Sequence, residues 1–417
     1  MNKKRVAVIG AGMVGACVAR YLQRDGHDVV MIDPSGPGEG ASFGNAGCFN
    51  PSSLVPIAGP DTFKQVPKYL MDPLGPLSIR WSYLPQISPW LIRYGLAGTP
   101  EKIRQQAQAL KSLLSPCFDA LLPLVEDAGA RDLVRRDGIL IVYRSRESLV
   151  ADARGWALRR ENGIAWEELD QEQLRAFDPN LTPDAKFGKY VPHNGHTINP
   201  NGLVKAIVDG ILKTGGRLVE AEAKGFAFDG DQLVAIETTG GRIEADTAVL
   251  AAGAHSKPLA VQAGDKVPLE TERGYHVMIR NPAILPRVPT TDSDNKFVVT
   301  PMQLGVRVAG TVELAGLRAT PNWKRSEILV KRIGSLFPAL GKNYTMNEMS
   351  YWMGHRPSLP DSLPVMGRSK RSPDVIYAFG HQHVGMTAAP YTGVVIADLI
   401  SGRPSPIDMA PFRAGRF

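Results

Sequence analysis

Cysteine is scarce in this chain: three among 417 residues, Cys17, Cys48 and Cys117, far apart in sequence. That number and spacing leave no disulfide framework and no metal-ligand cluster, and suit a reducing compartment. There is no C-x-x-C or C-x4-C pair, and a second G-x-G-x-x-G is missing too, which argues against a pyridine-nucleotide disulfide reductase. Apolar runs are all too short to span a bilayer. The formal net charge is +7, but it is spread along the chain without the dense basic cluster of a nucleic-acid binder. A basic surface instead favours anionic substrates or anionic lipid. Lys3-Lys-Arg5 before an apolar stretch imitates a signal peptide. Glycines stand where its apolar core would be, however, and no small-residue cleavage site follows. The expected location is therefore cytoplasmic.

What is present begins at once. Val6-Ala-Val-Ile9 reads as a buried strand, and Gly10, Gly12 and Gly15 follow at G-x-G-x-x-G spacing before a helical pattern. The first glycine turns the chain and the second admits a pyrophosphate. The third lets helix and strand pack closely, while free N–H groups at the helix start face the phosphates. The next strand ends in Asp33, where a carboxylate accepts from an adenosine ribose. Together these elements predict a dinucleotide site.

At 417 residues and 43% apolar composition, the chain suits two domains. Irregular proline-rich text runs from Pro51 to Pro89. Helices are expected over about 101–128 and 147–162, with a strand at 137–143 between them. Asn199 to Lys213 has helical period and runs into a strand at 215–220, followed by short strands at 233–239 and 242–246. Thr247 to Ser256 reads as a buried strand ending in small residues around Gly253. Antiparallel segments are expected at 275–280, 296–300 and 306–312. Val375 to Gly380 is a last strand, followed by a glycine loop and a helix from Pro390 to Ser401, with Pro390 in its first turn. Dinucleotide-type segments interrupted by other material imply interleaved domains: 1–55, 198–262 and 354–417 in one, 56–197 and 263–353 in the other.

Several motifs taken in order carry a resemblance: the first glycine motif, Ser42-Phe-Gly-Asn45-Ala46-Gly47, Val249-Leu-Ala-Ala-Gly253, Gly354-His355-Arg356-Pro357 through Gly367, and Gly380-His381-Gln-His383-Val-Gly385. Nearly the whole chain resembles the FAD-dependent D-amino acid oxidase and dehydrogenase family, which includes glycine and sarcosine oxidases. Ser42 to Gly47 looks closest to the bacterial D-amino acid dehydrogenase branch, which also contains enzymes acting on D-proline and D-hydroxyproline. The resemblance implies an α/β, two-domain fold: a glutathione-reductase-like Rossmann domain and an interleaved domain built on a mixed or antiparallel sheet. It implies FAD, held without a covalent link, and oxidation of an amino acid to an imine and then a 2-oxo acid.

In that family an arginine of a Gly-x-Arg-Pro motif binds the substrate carboxylate, and Arg356 matches it; a guanidinium fork suits a carboxylate. Tyr275 lies where the family often places a substrate-facing tyrosine, although a sheet tyrosine packed in the core is an equal reading. His383 and His355 flank the motifs and titrate near neutrality, so either is a candidate to bind substrate or take the amine proton. The loop from Gly380 to Gly385 would offer N–H donors and a helix dipole to the flavin, with His381 hydrogen-bonding within it. No metal is expected, because His381-Gln-His383 lacks further ligands. Cys48 reads as an ordinary packed thiol.

Electrons are expected to leave through a quinone or an electron-transfer acceptor. The segment from Pro67 to Tyr94 mixes Trp81, Trp90 and other apolar residues with Lys68, Arg80 and Arg93. That composition suits either peripheral contact with the inner face of a membrane or internal packing. Two other readings compete: a glycine- or sarcosine-type oxidase that makes hydrogen peroxide, and an electron-transfer flavoprotein subunit without a substrate site.

Overall fold

The computed structural model describes residues 3–57 and 75–417. Runs of β-branched and small residues, buried on both faces, make a six-stranded sheet. Arg5–Ile9 lies at its centre, paired in parallel with Asp28–Ile32 and Thr247–Leu250. Arg217–Val219 and Val375–Phe379 extend it in parallel, and Val365–Arg368 closes one edge antiparallel. Continuous burial is what a parallel sheet covered on both sides requires. The helices Met13–Arg24 and Gly385–Ile400 pack together over one face, sharing a core with Pro200–Lys213 and Cys117–Asp127. A three-stranded antiparallel sheet, Ala223–Asp229, Gln232–Thr238 and Gly241–Glu244, stands beside it.

The second large sheet has nine strands, among them Ile139–Tyr143, Glu270–Arg280, Phe297–Met302, Gly305–Leu314 and Met349–Ser358. Its strands alternate. Val277, Ile279, Val306 and Val308 face a core completed by Ile333 and Leu336 of the helix Lys324–Leu336. The other face turns toward the dinucleotide-type layer. Met349–Ser358 pairs throughout with Glu270–Arg280, so the boundary expected at 353/354 falls inside one strand of this sheet.

Three expectations about elements change. The helix expected at 101–128 is two helices, Pro100–Leu114 and Cys117–Asp127, broken at Ser115-Pro116 because proline lacks the N–H that continuation needs. The last helix begins at Gly385, so Pro390 lies inside it and not in its first turn. Leu84–Ala97 is helical although it carries Pro85 and Pro89 and begins inside the stretch expected to be irregular. Pro85 occupies a first-turn position where no N–H is needed. The burial of Ile87, Trp90, Tyr94 and Ala97 against Leu314 holds the remainder.

Candidate active site

The first glycine turn has the shape a pyrophosphate needs. Gly10 has φ of 111°, and a Cβ there would lie 2.5 Å from the Ala251 carbonyl oxygen; one on Gly15 would lie 1.9 Å from the Gly10 oxygen. Only bare backbone fits, which leaves the start of the Met13–Arg24 helix open above the loop. The Ala11 and Ser35 N–H groups donate to the Asp33 carboxylate at 2.8 and 2.9 Å, fixing it at the end of its strand. Ser42 accepts at 3.0 Å from the Met13 N–H, tying the second loop to the helix start beside Gly12. A dinucleotide cofactor fits these residues.

The loop from Ser42 to Gly47 is held from both sides. Asn45 Oδ1 accepts from the Gly47 N–H at 2.8 Å, and the Thr197 N–H donates to the Gly47 carbonyl at 2.7 Å. From the second sheet, Arg307 donates to the carbonyls of Phe43 (3.2 Å) and Asn45 (2.5 Å), and His276 Nδ1 lies 2.9 Å from the Gly44 carbonyl. Burial pushes Arg307 down to about 10 and His276, beside it, down to about 3. The imidazole is therefore neutral and donates. The Cys48 thiol follows Ala46, with its Sγ 3.9 Å from the Ala46 carbonyl, and burial raises it to about 12. It is not a nucleophile at neutral pH.

Register decides which side chains meet. Glu272 faces Arg356, Gly274 faces Gly354 and His276 faces Trp352, and period-two alternation puts all six on the side toward the dinucleotide layer. The Arg356 guanidinium lies over Gly274, where a Cβ would come within 2.3 Å of it. Its hydrogen bond goes to the Thr311 carbonyl at 3.3 Å, and among the described residues it has no carboxylate within salt-bridge distance. Burial lowers it and the Glu272 charge supports it. Glu272 in turn accepts from the Ser358 hydroxyl at 2.7 Å, and its carboxyl is raised by burial. Thr311 holds an unusual φ of 58° at the irregularity where Gly305–Leu314 slips against Glu270–Arg280, and its hydroxyl is buried without a partner. Strain of this sort is costly for a β-branched residue and recurs at functional sites.

Gly380 and Gln382 both have positive φ, at 87° and 49°, which turns the chain into the final helix at Gly385. His381 points inward to Thr392 at 3.1 Å and burial pushes it down to about 3. His383 opens onto the space facing Arg356. Surrounding protein and the Arg356 cation push it down to about 4, and its Nε2 lies 3.4 Å from Ser53 Oγ. Gly253, at the end of the Thr247–Leu250 strand, starts a short turn with φ of 54°.

Tyr275 and His355 do not join this group, because the same alternation places them on the opposite face from Arg356. The Tyr275 phenol donates to Glu313 at 2.6 Å and accepts from the Asn322 N–H at 2.9 Å; burial and Glu313 push it up to about 12. His355 Nδ1 lies 3.0 Å from Thr271 Oγ1, with its ring edge-on to His255. Nor is Arg273 available: it donates to the carbonyls of Gly316, Ala319 and Thr320 and pairs with Glu313. Glu272, His276, Thr311 and Trp352 carry no motif and were missed. The alternation in Glu272-Arg-Gly-Tyr-His276 and Trp352-Met-Gly-His-Arg356 is visible in the sequence, but which face looks inward is not.

Among the described residues, no group of three His, Cys, Asp or Glu side chains is placed to hold a metal, and no helix is long and apolar enough to cross a membrane.

Comparisons with known proteins bear on the family and the fold. The chain is 46% identical to a D-amino-acid oxidase of Bradyrhizobium diazoefficiens, over 99% of both proteins. It is 29% identical to a D-amino acid dehydrogenase of Rhizorhabdus wittichii, covering 99% of this chain and 100% of that one. Glycine oxidase from Geobacillus kaustophilus shares the fold at a TM-score of 0.76 with 21% identity, over the whole of both chains. The family model described as FAD dependent oxidoreductase matches residues 5–399. This chain belongs to that family, the DAO family of FAD-dependent oxidoreductases.

Proposed function

We propose that the protein dehydrogenates a D-amino acid at its Cα–N bond, with the substrate carboxylate gripped by Arg356. The observation that supports this most directly is a cation facing the space between the layers with one backbone carbonyl as its partner. A carboxylate would complete its hydrogen bonding through the planar fork. FAD, when bound, supplies the two-electron acceptor. The protein's own residues bind and orient. Gly274 gives the guanidinium room, the Thr311 carbonyl fixes its rotation, and Arg307 and His276 hold the Phe43–Asn45 loop. His383, kept neutral, can accept a hydrogen bond from the substrate nitrogen; the ammonium proton leaves to solvent, and the lone pair of the neutral amine assists loss of the Cα hydrogen. The imine produced hydrolyses in water to a 2-oxo acid. Orientation provides much of the rate in such a reaction. Tyr275 and His355, on the other face, have structural roles. The contacts of Gly10, Gly12, Gly15, Asp33 and Ser42 support binding of the dinucleotide portion, and those of Asn45 to Gly47, Gly253, Gly380, His381 and Gly385 support the flavin-side loops.

The test is anaerobic bleaching of the bound flavin by matched D- and L-amino acids, glycine and sarcosine. Rapid bleaching by D-amino acids is expected. Bleaching only by sarcosine or glycine would move the protein to the amine-oxidase reading, and bleaching by none to an electron-transfer role.

For the acceptor, the relatives' names divide between oxidase and dehydrogenase. A surface feature supports a quinone at a membrane face. Ile92 and Leu96, four apart on one helix, are 64% and 63% exposed, Trp81 just before that helix is 70% exposed, and Arg80 and Arg93 lie among them. Trp90 and Tyr94 are buried and drop out of that surface. Lys68, Tyr69, Leu70 and Leu74 lie outside the described residues. Salt-sensitive binding to anionic vesicles and faster turnover with a quinone analogue than with oxygen are expected. Stoichiometric peroxide in air would overturn the acceptor assignment.

A further inference from the structure

Trp352 lies on the inward face of the same strand as Arg356, four residues before it. Its indole does not stand up from the sheet but lies along it. A Cβ on Gly354, two residues on, would fall 1.9 Å from the ring, and one on Gly44 of the flavin-side loop would fall 2.1 Å from it. The six-membered ring is thus wedged between strand and loop. It stacks on His276 at 5.1 Å and 18°, with Phe43 at 6.5 Å beyond. Gly354 and Gly274 are partners across the two strands. The indole lies over the first and the guanidinium over the second, and such positions are about 5 Å apart at the level of their β-carbons.

Resting on the amino-acid reading above, we infer that Trp352 sets the side-chain specificity of the site, limiting it to small neutral side chains. A carboxylate seated on the Arg356 fork leaves the α-carbon a short step away over the same two glycines, and the indole closes that slot. The charges nearby point the same way. Arg307 is buried, with its Nη1 held by the Phe43 and Asn45 carbonyls and its Nε without a partner, and Glu272 accepts from Ser358. An acidic side chain would compete with the α-carboxylate for Arg356, and a basic one would meet the Arg356 cation. His276 and the Gly44 carbonyl beneath the ring keep it from swinging aside, because both are tied to each other. Trp352 is half-buried, so part of the indole stays accessible.

The experiment compares holoenzymes of wild type, Trp352→Ala and Trp352→Phe on D-alanine and D-phenylalanine, by kcat/KM. Trp352→Ala should raise the D-phenylalanine to D-alanine ratio at least tenfold. Trp352→Phe, which keeps the stack on His276 but removes one ring, should raise it about threefold and stands in if the alanine variant does not hold flavin. D-glutamate and D-lysine should remain poor with both variants. A ratio within twofold of wild type in the variants that hold flavin overturns the assignment. Bleaching of the wild-type flavin by D-alanine reports separately on the amino-acid reading, so the two failures are distinguishable.

Discussion

Replacing Arg356 by methionine should separate binding from folding, because the two respond with opposite sign. In the free protein the guanidinium is half-buried, donates to one backbone oxygen at 3.3 Å and forms no carboxylate pair among the described residues. Burying a cation with so little compensation costs stability. Methionine fills similar space over Gly274 without that cost, so the melting temperature of the flavin-loaded, substrate-free variant should hold or rise. Substrate binding should collapse. A charge-assisted bidentate pair in a desolvated site contributes about 2–4 kcal/mol, and at about 1.4 kcal/mol per tenfold this is roughly 30- to 700-fold in Kd. Lysine should recover only part of the loss, since it offers a point charge and no fork. The assay is anaerobic titration of flavin bleaching, which reads Kd and the limiting rate apart. A Kd within threefold of wild type, with a melting temperature several degrees lower, would refute the reasoning: Arg356 would then be a structural residue.

Acid should destabilise the fold through its interior histidines. His276 and His381 are held near 3, and the half-buried His355 near 4, against an ordinary 6.5. The unfolded chain therefore binds more protons below about pH 6.5, and stability falls as pH drops from there through 4 and toward 3. For the wholly interior His276 and His381 the slope approaches about 1.4 kcal/mol per pH unit each, and urea midpoints between pH 7 and 4 measure it. A flat profile would mean these rings are hydrated. Gly15→Ala places a methyl 1.9 Å from the Gly10 oxygen and should yield protein lacking visible flavin absorbance; a full complement would show the first turn is placed wrongly. Thr311→Gly removes a β-branched residue from φ of 58° and a partnerless buried hydroxyl. It should stabilise by about 1 kcal/mol after the entropic cost of glycine, and a lower melting temperature would contradict the strain argument. Cys17, Cys48 and Cys117 should resist alkylation at pH 8 until the chain unfolds, since burial raises all three. Flavin should leave with acid precipitation, and retention in the pellet would reveal a covalent link.

The dinucleotide end of this molecule could be read from the sequence because its physics is local. Gly10, Gly12 and Gly15 are needed within a few residues of the strand they follow, and Asp33 ends the very next strand, so spacing alone carries the geometry. Arg356 stood out as a candidate for a related reason: with its neighbours Gly354 and Pro357 it matches a short motif of the family that the sequence resembles. What surrounds it did not stand out. Tyr275 and His276 are adjacent in sequence, yet one faces Glu313 and the other the Gly44 carbonyl, because successive residues in a strand point to opposite sides. A one-residue change of register would exchange them. That choice is made by long-range pairing of Glu270–Arg280 with Met349–Ser358, and by which face the helix Lys324–Leu336 covers. The helix Leu84–Ala97 was obscured in the same way: its prolines speak against helix locally, and the burial of Trp90 and Tyr94 that outweighs them exists only after folding. Local chemistry told what this protein holds; the pairing of distant strands decided which side chains face it.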